Sequence, residues 1–282
     1  MNDAYIQIYK GNNFYKPKIK IKNKPSGKTV AFDLDETLGS FMDLEILWRT
    51  IQEVNYNMVD FNKLLDLYPE FLRYGIISIL DFLYQKKLSC ECAKLYIYTN
   101  NQCSVDWTNR ISKYFEYKLG NVSLFDQIIY AFKINDKKVE LMRTTHNKTY
   151  GDFIKCTVLP KTTEICFVDN SYFGQMAKEC IYYIQPRSYY HHLSVKEIVD
   201  RYLKSPLSLS NNITSNQLFY DRFERDIEHK YFENIPKKIE IDIYVAQKIM
   251  YHIKEFFFLT TRKCRTHKIR VCFGKNTRKK RK

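Results

Sequence analysis

The sequence has no uninterrupted apolar run of membrane-spanning length. Its longest candidate, YGIISILDFLYQKK, is broken by Asp81 and then by Lys86 and Lys87, so no membrane span is expected. The start, MNDAYIQIYKGNN, lacks both the basic opening and the long apolar stretch of a secretory signal. Paired CxxC spacings are also missing among Cys90, Cys92, Cys103, Cys156, Cys166, Cys180, Cys264 and Cys272, which argues against a disulfide framework. Neither Cys90, Cys92 and Cys103 nor Cys264, His267 and Cys272 follows a recognised zinc-ligand rhythm. These absences point to reduced thiols in an intracellular protein of the nucleus or cytoplasm. Internal repeats and long low-complexity tracts are lacking too.

Acidic residues are missing from two stretches. Residues 261–282 hold eleven Lys/Arg and no acid, and residues 10–28 hold seven Lys and no acid, within a chain of net charge +15. The body between them is therefore nearly neutral. The terminal TRKKRK reads either as a solvated tail or as a contact for an import receptor or nucleic acid. Attraction to polyanions would be strongly salt-dependent and would carry no sequence specificity by itself.

The composition, 45% hydrophobic and 27% charged, is that of a globular chain. YIQIY and KIKIK alternate with period two, so residues 1–26 read as edge strands or a loose basic arm. Pro25, Ser26 and Gly27 punctuate the chain before the apolar run TVAF, where a core over residues 27–205 begins. Apolar residues then recur at helical spacing through Leu44, Leu47, Ile51 and Val54, and again through Leu72, Ile76, Ile79 and Leu83. These predict a helical insertion at about 41–88, with Pro69 opening its second helix. LYIYT, QIIYAF and EICFV read as strands. Between them lie a helix carrying Trp107, Ile111, Tyr114, Phe115 and Leu119, stopped by Gly120, and a short helix at KTYGDFIKC. Strands alternating with helices predict an α/β fold with a parallel sheet and right-handed crossovers. Beyond the core, VKEIVDRYLK behind a Ser194 cap, SNQLFYDRFERDIEHK and DIYVAQKIMYHIKEFF predict amphipathic helices packed onto it. Residues 206–260 form a helical extension in this reading, and residues 261–282 a basic tail.

Three apolar runs end in reactive polar residues: TVAF in Asp33, Leu34, Asp35, Glu36 and Thr37; LYIY in Thr99 and Asn100; ICFV in Asp169 and Asn170. On a parallel sheet all three would open onto one edge. Carboxylates gathered there repel one another unless a cation or proton intervenes. Oxygen donors of this kind suit magnesium, which bridges readily to a phosphate.

FDLDETL resembles the first motif of haloacid dehalogenase phosphatases. It is most similar to the branch containing RNA polymerase C-terminal-domain phosphatases and their small relatives, in which DLDETL is favoured where many other members carry a glycine in place of Glu36. YTNN resembles the second motif and FVDNS the fourth. FLRYG is similar to an Arg-Pro-Gly stretch of that branch, with Tyr74 in place of the proline. The resemblance spans about residues 29–190. It implies a Rossmann-like core and a magnesium-dependent phosphatase working through a phospho-aspartyl intermediate. Asp33 would be the nucleophile and a metal ligand. Asp35 would be the general acid/base, with its backbone carbonyl on the metal. Asn170 would bind the metal, and Asp169 would hold metal waters or the third-motif lysine. Thr37, Thr99 and Asn100 would meet the phosphate. Lys148, at the opening of the short helix, is preferred as the third-motif lysine over Lys155, because a residue there can point to the strand ends.

The adjacent pair His191 and His192 cannot both face one site from a regular element and is expected to be structural or exposed. The resemblance further implies a phosphoserine or phosphothreonine protein as substrate. Small members of the branch shape their peptide site with a β insertion between the first two motifs, whereas here that interval reads helical. Two alternatives stay open at this stage: a polynucleotide phosphatase acting on terminal phosphates, and a non-catalytic interaction module on the same fold.

Overall fold

The computed structural model describes residues 3–14, 27–54, 59–208, 213–227 and 239–264. KIKIK and TRKKRK lie outside them, so the readings of the basic arm and tail are not addressed by the fold. Five parallel strands form the centre of a six-stranded sheet: β2 (Lys28–Phe32), β3 (Cys92–Tyr98), β4 (Gln127–Ile129), β7 (Ile165–Val168) and β8 (Ile181–Pro186). The edge strand β1 (Ile6–Lys10) pairs antiparallel with β8 and takes in all of the alternating YIQIY segment except Tyr5. The order is β1-β8-β7-β2-β3-β4. The chain winds outward from β2 in one direction through β3 and β4, then in the other through β7 and β8. The winding reverses between β2 and β7, and in such sheets the carboxyl ends of the strands at that point are where ligands bind.

Every residue of β2 is buried, as a strand covered on both faces must be. Alternation divides its side chains. Val30 and Phe32 join Leu95, Ile97, Cys166 and Val168 under one layer of helices. Ala31 joins Tyr96, Tyr98, Ile165 and Phe167 on the other face. The first layer is thick: it draws on α1 (Met42–Val54), α2 (Phe61–Asp66), α3 (Ile76–Leu88), α4 (Val105–Lys118), α6 (Val195–Leu203), α7 (Ile213–Asp226) and α8 (Ile239–Cys264). The second face is covered mainly by α5 (Tyr150–Thr157), through Phe153 and Cys156, and by Met176 and Cys180. Phe219, Phe223, Ile249, Ile253 and Phe256 belong to the first cluster, so the C-terminal helices share the core of the sheet. Among the described residues, no helix is long and apolar enough to cross a membrane.

Local chemistry sets most boundaries. Ser194 and Glu197 form a capping box at α6, Ser104 caps α4 through the Trp107 amide, and Gly120 at φ 86° follows the end of α4. The expectation for Pro69 is corrected: it opens a single 3-10 turn, Pro69–Phe71, and α3 begins only at Ile76. Gly75 at φ 71° is the reason, since a left-handed residue cannot lie inside a right-handed helix. The QIIYAF strand is also shorter than read. It ends at Ile129, and the chain then enters a small hairpin, β5 (Lys133–Ile134) and β6 (Lys137–Lys138).

Candidate functional site

The loop leaving β2 is held from several sides. The Asp33 amide donates to Val168 O at 2.9 Å, locking the end of β2 to the end of β7. Residues 34–39 then turn tightly, with Leu38 N donating to Leu34 O at 2.8 Å and Glu36 N to Gly39 O at 2.6 Å. Gly39 is required there because a Cβ would lie 2.4 Å from Phe71 O. Glu36 adopts φ 58°, a left-handed conformation that a non-glycine residue keeps only when its surroundings hold it. Its carbonyl accepts from Tyr189 N and from the buried Arg73, and its carboxylate accepts from Tyr190 Oη and Asn170 Nδ2, each at 3.0 Å. Arg73 also donates to Thr37 O at 2.5 Å and to Arg187 O at 2.8 Å. One guanidinium thereby fixes the turn that aims Asp33, Asp35 and Thr37.

At the centre, the Lys148 ammonium bridges two carboxylates. It contacts Asp33 Oδ1 and lies 2.7 Å from Asp169 Oδ2, and all three side chains are more than nine-tenths buried. Burial alone would lower the Lys148 pKa, but the charges of Asp169 and Asp33 outweigh it and shift it upward, so this lysine is a fixed cation. Thr149 caps α5 through the Asp152 amide, and its own amide donates to Tyr98 Oη at 3.2 Å, so Lys148 enters the site from an anchored helix start. Lys155, by contrast, is exposed on α5 with Asp152 as its neighbour at 3.8 Å.

Thr37 Oγ1 lies 3.1 Å from Asp33 Oδ2 and 2.9 Å from Asn170 Oδ1, and accepts the Asn170 amide at 3.0 Å. It clasps the Asp33 loop to the Asn170 loop. Asp169 Oδ1 accepts the Ser171 amide at 2.8 Å, so both its oxygens are engaged, one of them by the lysine. Thr99 Oγ1 accepts the Asn101 amide at 2.9 Å, and among the described residues its hydroxyl proton has no acceptor. The Asn100 side chain turns away: its Oδ1 accepts from Arg143 at 2.7 Å. Asn101 takes the inward position and donates to Asp35 Oδ2 at 2.9 Å. The Asp35 carboxyl is pushed up to about 7, first by burial and then by the neighbouring charge of Asp33.

Sequence reasoning missed Asn101 and Arg143 and singled out Arg73 only through its motif. Arg143 is fully buried and donates to the carbonyls of Thr99 at 2.9 Å, Tyr130 at 2.8 Å, His146 at 2.9 Å and Asn147 at 3.3 Å, besides Asn100 Oδ1. It ties the end of β3 to the loop that delivers Lys148. Arg143→Met should therefore orphan several buried carbonyls and destabilise the fold by about 2–4 kcal/mol. A urea midpoint unchanged from that of the unmodified chain would contradict this role. His191 is buried, with Nε2 2.9 Å from Asp43 Oδ2 and Nδ1 accepting the Leu193 amide at 3.1 Å, while His192 lies 4.0 Å from Asp242.

No group of three or more His, Cys, Asp or Glu side chains among the described residues is arranged to hold a metal by itself. Magnesium does not need such a cage, since it takes one or two carboxylates and keeps its remaining places for water and phosphate. Asp33 Oδ2 and Asn170 Oδ1 converge on the same threonine hydroxyl, and the Asp35 backbone lies two residues from Asp33 in the same turn. This all-oxygen set fits magnesium in chemistry. Asp169, saturated by Lys148 and Ser171, fits the lysine-holding role better than that of a ligand. Searches of family models, curated proteins and solved structures find no match to the chain.

Proposed function

We propose that this chain is a magnesium-dependent phosphomonoesterase of the haloacid dehalogenase type, acting through a phospho-aspartyl intermediate. The observation that carries the reading is the Lys148 ammonium bridging Asp33 and Asp169 at the ends of adjacent strands, with the high-pKa Asp35 two residues beyond Asp33. An Asp33 carboxylate oxygen attacks phosphorus, and the bond from phosphorus to the ester oxygen breaks as Asp35 protonates that leaving oxygen. Asp35, now a carboxylate, takes a proton from water. The water oxygen attacks phosphorus, and the bond to Asp33 breaks to release phosphate. Lys148 and the Thr99 hydroxyl meet the phosphoryl oxygens, where charge stabilisation matters most. Magnesium on the oxygens of Asp33, Asn170 and the Asp35 carbonyl would supply further positive charge.

A phosphoserine or phosphothreonine protein as substrate rests on the resemblance of FDLDETL alone. The interval between the first two motifs holds helices α1 to α3, so a peptide pocket here has different walls from those of a β insertion.

The test is hydrolysis of an aryl phosphate with and without magnesium, followed across pH. Asp35 must be protonated for the first step. Its pKa of about 7 predicts that activity falls as pH rises through that value, by about tenfold per unit well above it. The sign for stability is the same. A carboxyl whose folded-state pKa is raised favours the fold below its ordinary pKa, and that contribution is lost as pH rises towards 7. Asp35→Asn should thus be inactive yet have a higher melting temperature than the unmodified chain at pH 8. Magnesium-independent activity, or an Asp35→Asn variant that keeps the same rate, would overturn the assignment.

A further inference from the structure

The hairpin after β4 carries a charge arrangement that works against its own stability. Lys133 and Lys138 are directly opposed across the two strands, and like charges in that position destabilise a β pair. Lys137 is exposed beside them, and the intervening turn, Asn135 at φ 47° and Asp136 at φ 60°, contributes a single acid. Among the described residues, none of the three ammonium groups forms an ion pair with a carboxylate. Lys133 and Lys138 lie 5.7 Å and 5.2 Å from the centre of the Phe132 ring, whose other close ring neighbour is His146 at 5.3 Å.

The hairpin stands on the same sheet edge as Asp33. The Thr99 amide donates to Ile129 O at 3.0 Å, so the chain leaving β4 emerges beside Thr99. Arg143 binds Tyr130 O at the hairpin base and His146 O in the Lys148 loop, which fixes the hairpin relative to the site. β4 is two strands from β2, a lateral distance on the order of 10 Å at the usual strand spacing. An extended peptide covers that distance in about three residues.

We propose that Lys133, Lys137 and Lys138 bind a second anionic group of the substrate, about three or more residues from the phosphate being removed, on an acidic or multiply phosphorylated peptide. This rests on the phosphatase reading and adds the substrate class to it. A peptide is favoured over single-stranded nucleic acid because the latter pairs basic grooves with stacking aromatics, whereas Phe132 is half-buried and already flanked by His146 and two lysines.

The test compares two phosphoserine peptides of equal length, one with neutral flanks and one with a second phosphoserine three residues away. Each is given to the unmodified chain and to the Lys137→Glu/Lys138→Glu double variant, with an aryl phosphate as control. The unmodified chain should prefer the doubly charged peptide by about tenfold in kcat/KM, the sum of a few exposed ion pairs. The variant should lose that preference while hydrolysing the aryl phosphate at an unchanged rate. A preference that survives the charge reversal overturns the proposal, as does a parallel loss on the aryl phosphate. If the unmodified chain hydrolyses neither the aryl phosphate nor either peptide, the phosphatase reading has failed. The hairpin is then judged by fluorescence anisotropy of the same doubly charged peptide, where equal binding by both proteins overturns it. Stronger competition by single-stranded RNA than by the peptide, absent in the variant, would reassign the surface to nucleic acid.

Discussion

Asp33→Asn is expected to reduce magnesium-dependent hydrolysis of an aryl phosphate by about a thousandfold or more, the scale seen when a nucleophile is removed from a unit that acts together. The exchange is nearly isosteric, and the Lys148 ammonium keeps Asp169 at 2.7 Å, so the strand ends should stay together. Removing the Asp33 charge also takes away the second cause of the raised Asp35 pKa, which should fall. The variant should therefore be folded and inactive, and the folded state is verified by an unchanged far-UV spectrum. Activity surviving in Asp33→Asn would overturn the nucleophile assignment. A lack of activity in the unmodified chain as well, on every phosphomonoester tried, would favour the non-catalytic interaction module.

What the sequence made legible was the part of the fold governed by short-range pattern. TVAF, LYIY and ICFV could be read as buried strands because parallel strands covered on both faces are continuously apolar, and each ends where the structure places Asp33, Thr99 and Asp169. Asp33 and Asp169 then meet because β2 and β7 are neighbours, a pairing that alternation of strands and helices allows without dictating. The start of α3 lies later than the sequence pattern places it because Pro69 is an equally good first residue for a 3-10 turn, and only the left-handed Gly75 decides between them. Helix α2 is six residues long, too short for periodicity to register, although Asp60 caps it through Asn62 N and Lys63 N. Arg143 was invisible for a different reason. Four of its five acceptors are backbone carbonyls and the fifth is Asn100 Oδ1, and carbonyl acceptors leave no trace in residue identity. Asn100 and Asn101 could not be told apart, since adjacent identical side chains diverge only once the loop is fixed.

Lys148→Met is expected to lose both activity and stability. The substitution keeps an unbranched side chain but leaves Asp33 and Asp169 buried without their shared cation. Breaking a buried pair in this way costs about 3–5 kcal/mol, because the surviving charge is desolvated and uncompensated. The deficit should depend on pH with a definite sign. Burial and the Asp33 charge already raise the Asp169 pKa while Lys148 opposes them, so without the lysine that rise is unopposed; protonation relieves the strain at low pH, and the relief is lost as pH rises. Urea midpoints of the variant and the unmodified chain should differ more at pH 8 than at pH 5. Lys155→Met provides the contrast: that side chain is 54% exposed and 3.8 Å from Asp152, so its loss should leave activity and stability nearly unchanged. A reversed outcome, with Lys155→Met inactive and Lys148→Met active, would move the phosphate-facing cation to α5. Equal urea midpoints for Lys148→Met and the unmodified chain at pH 8 would mean that the backbone pairing of β2 with β7, rather than the lysine bridge, holds the two carboxylates together.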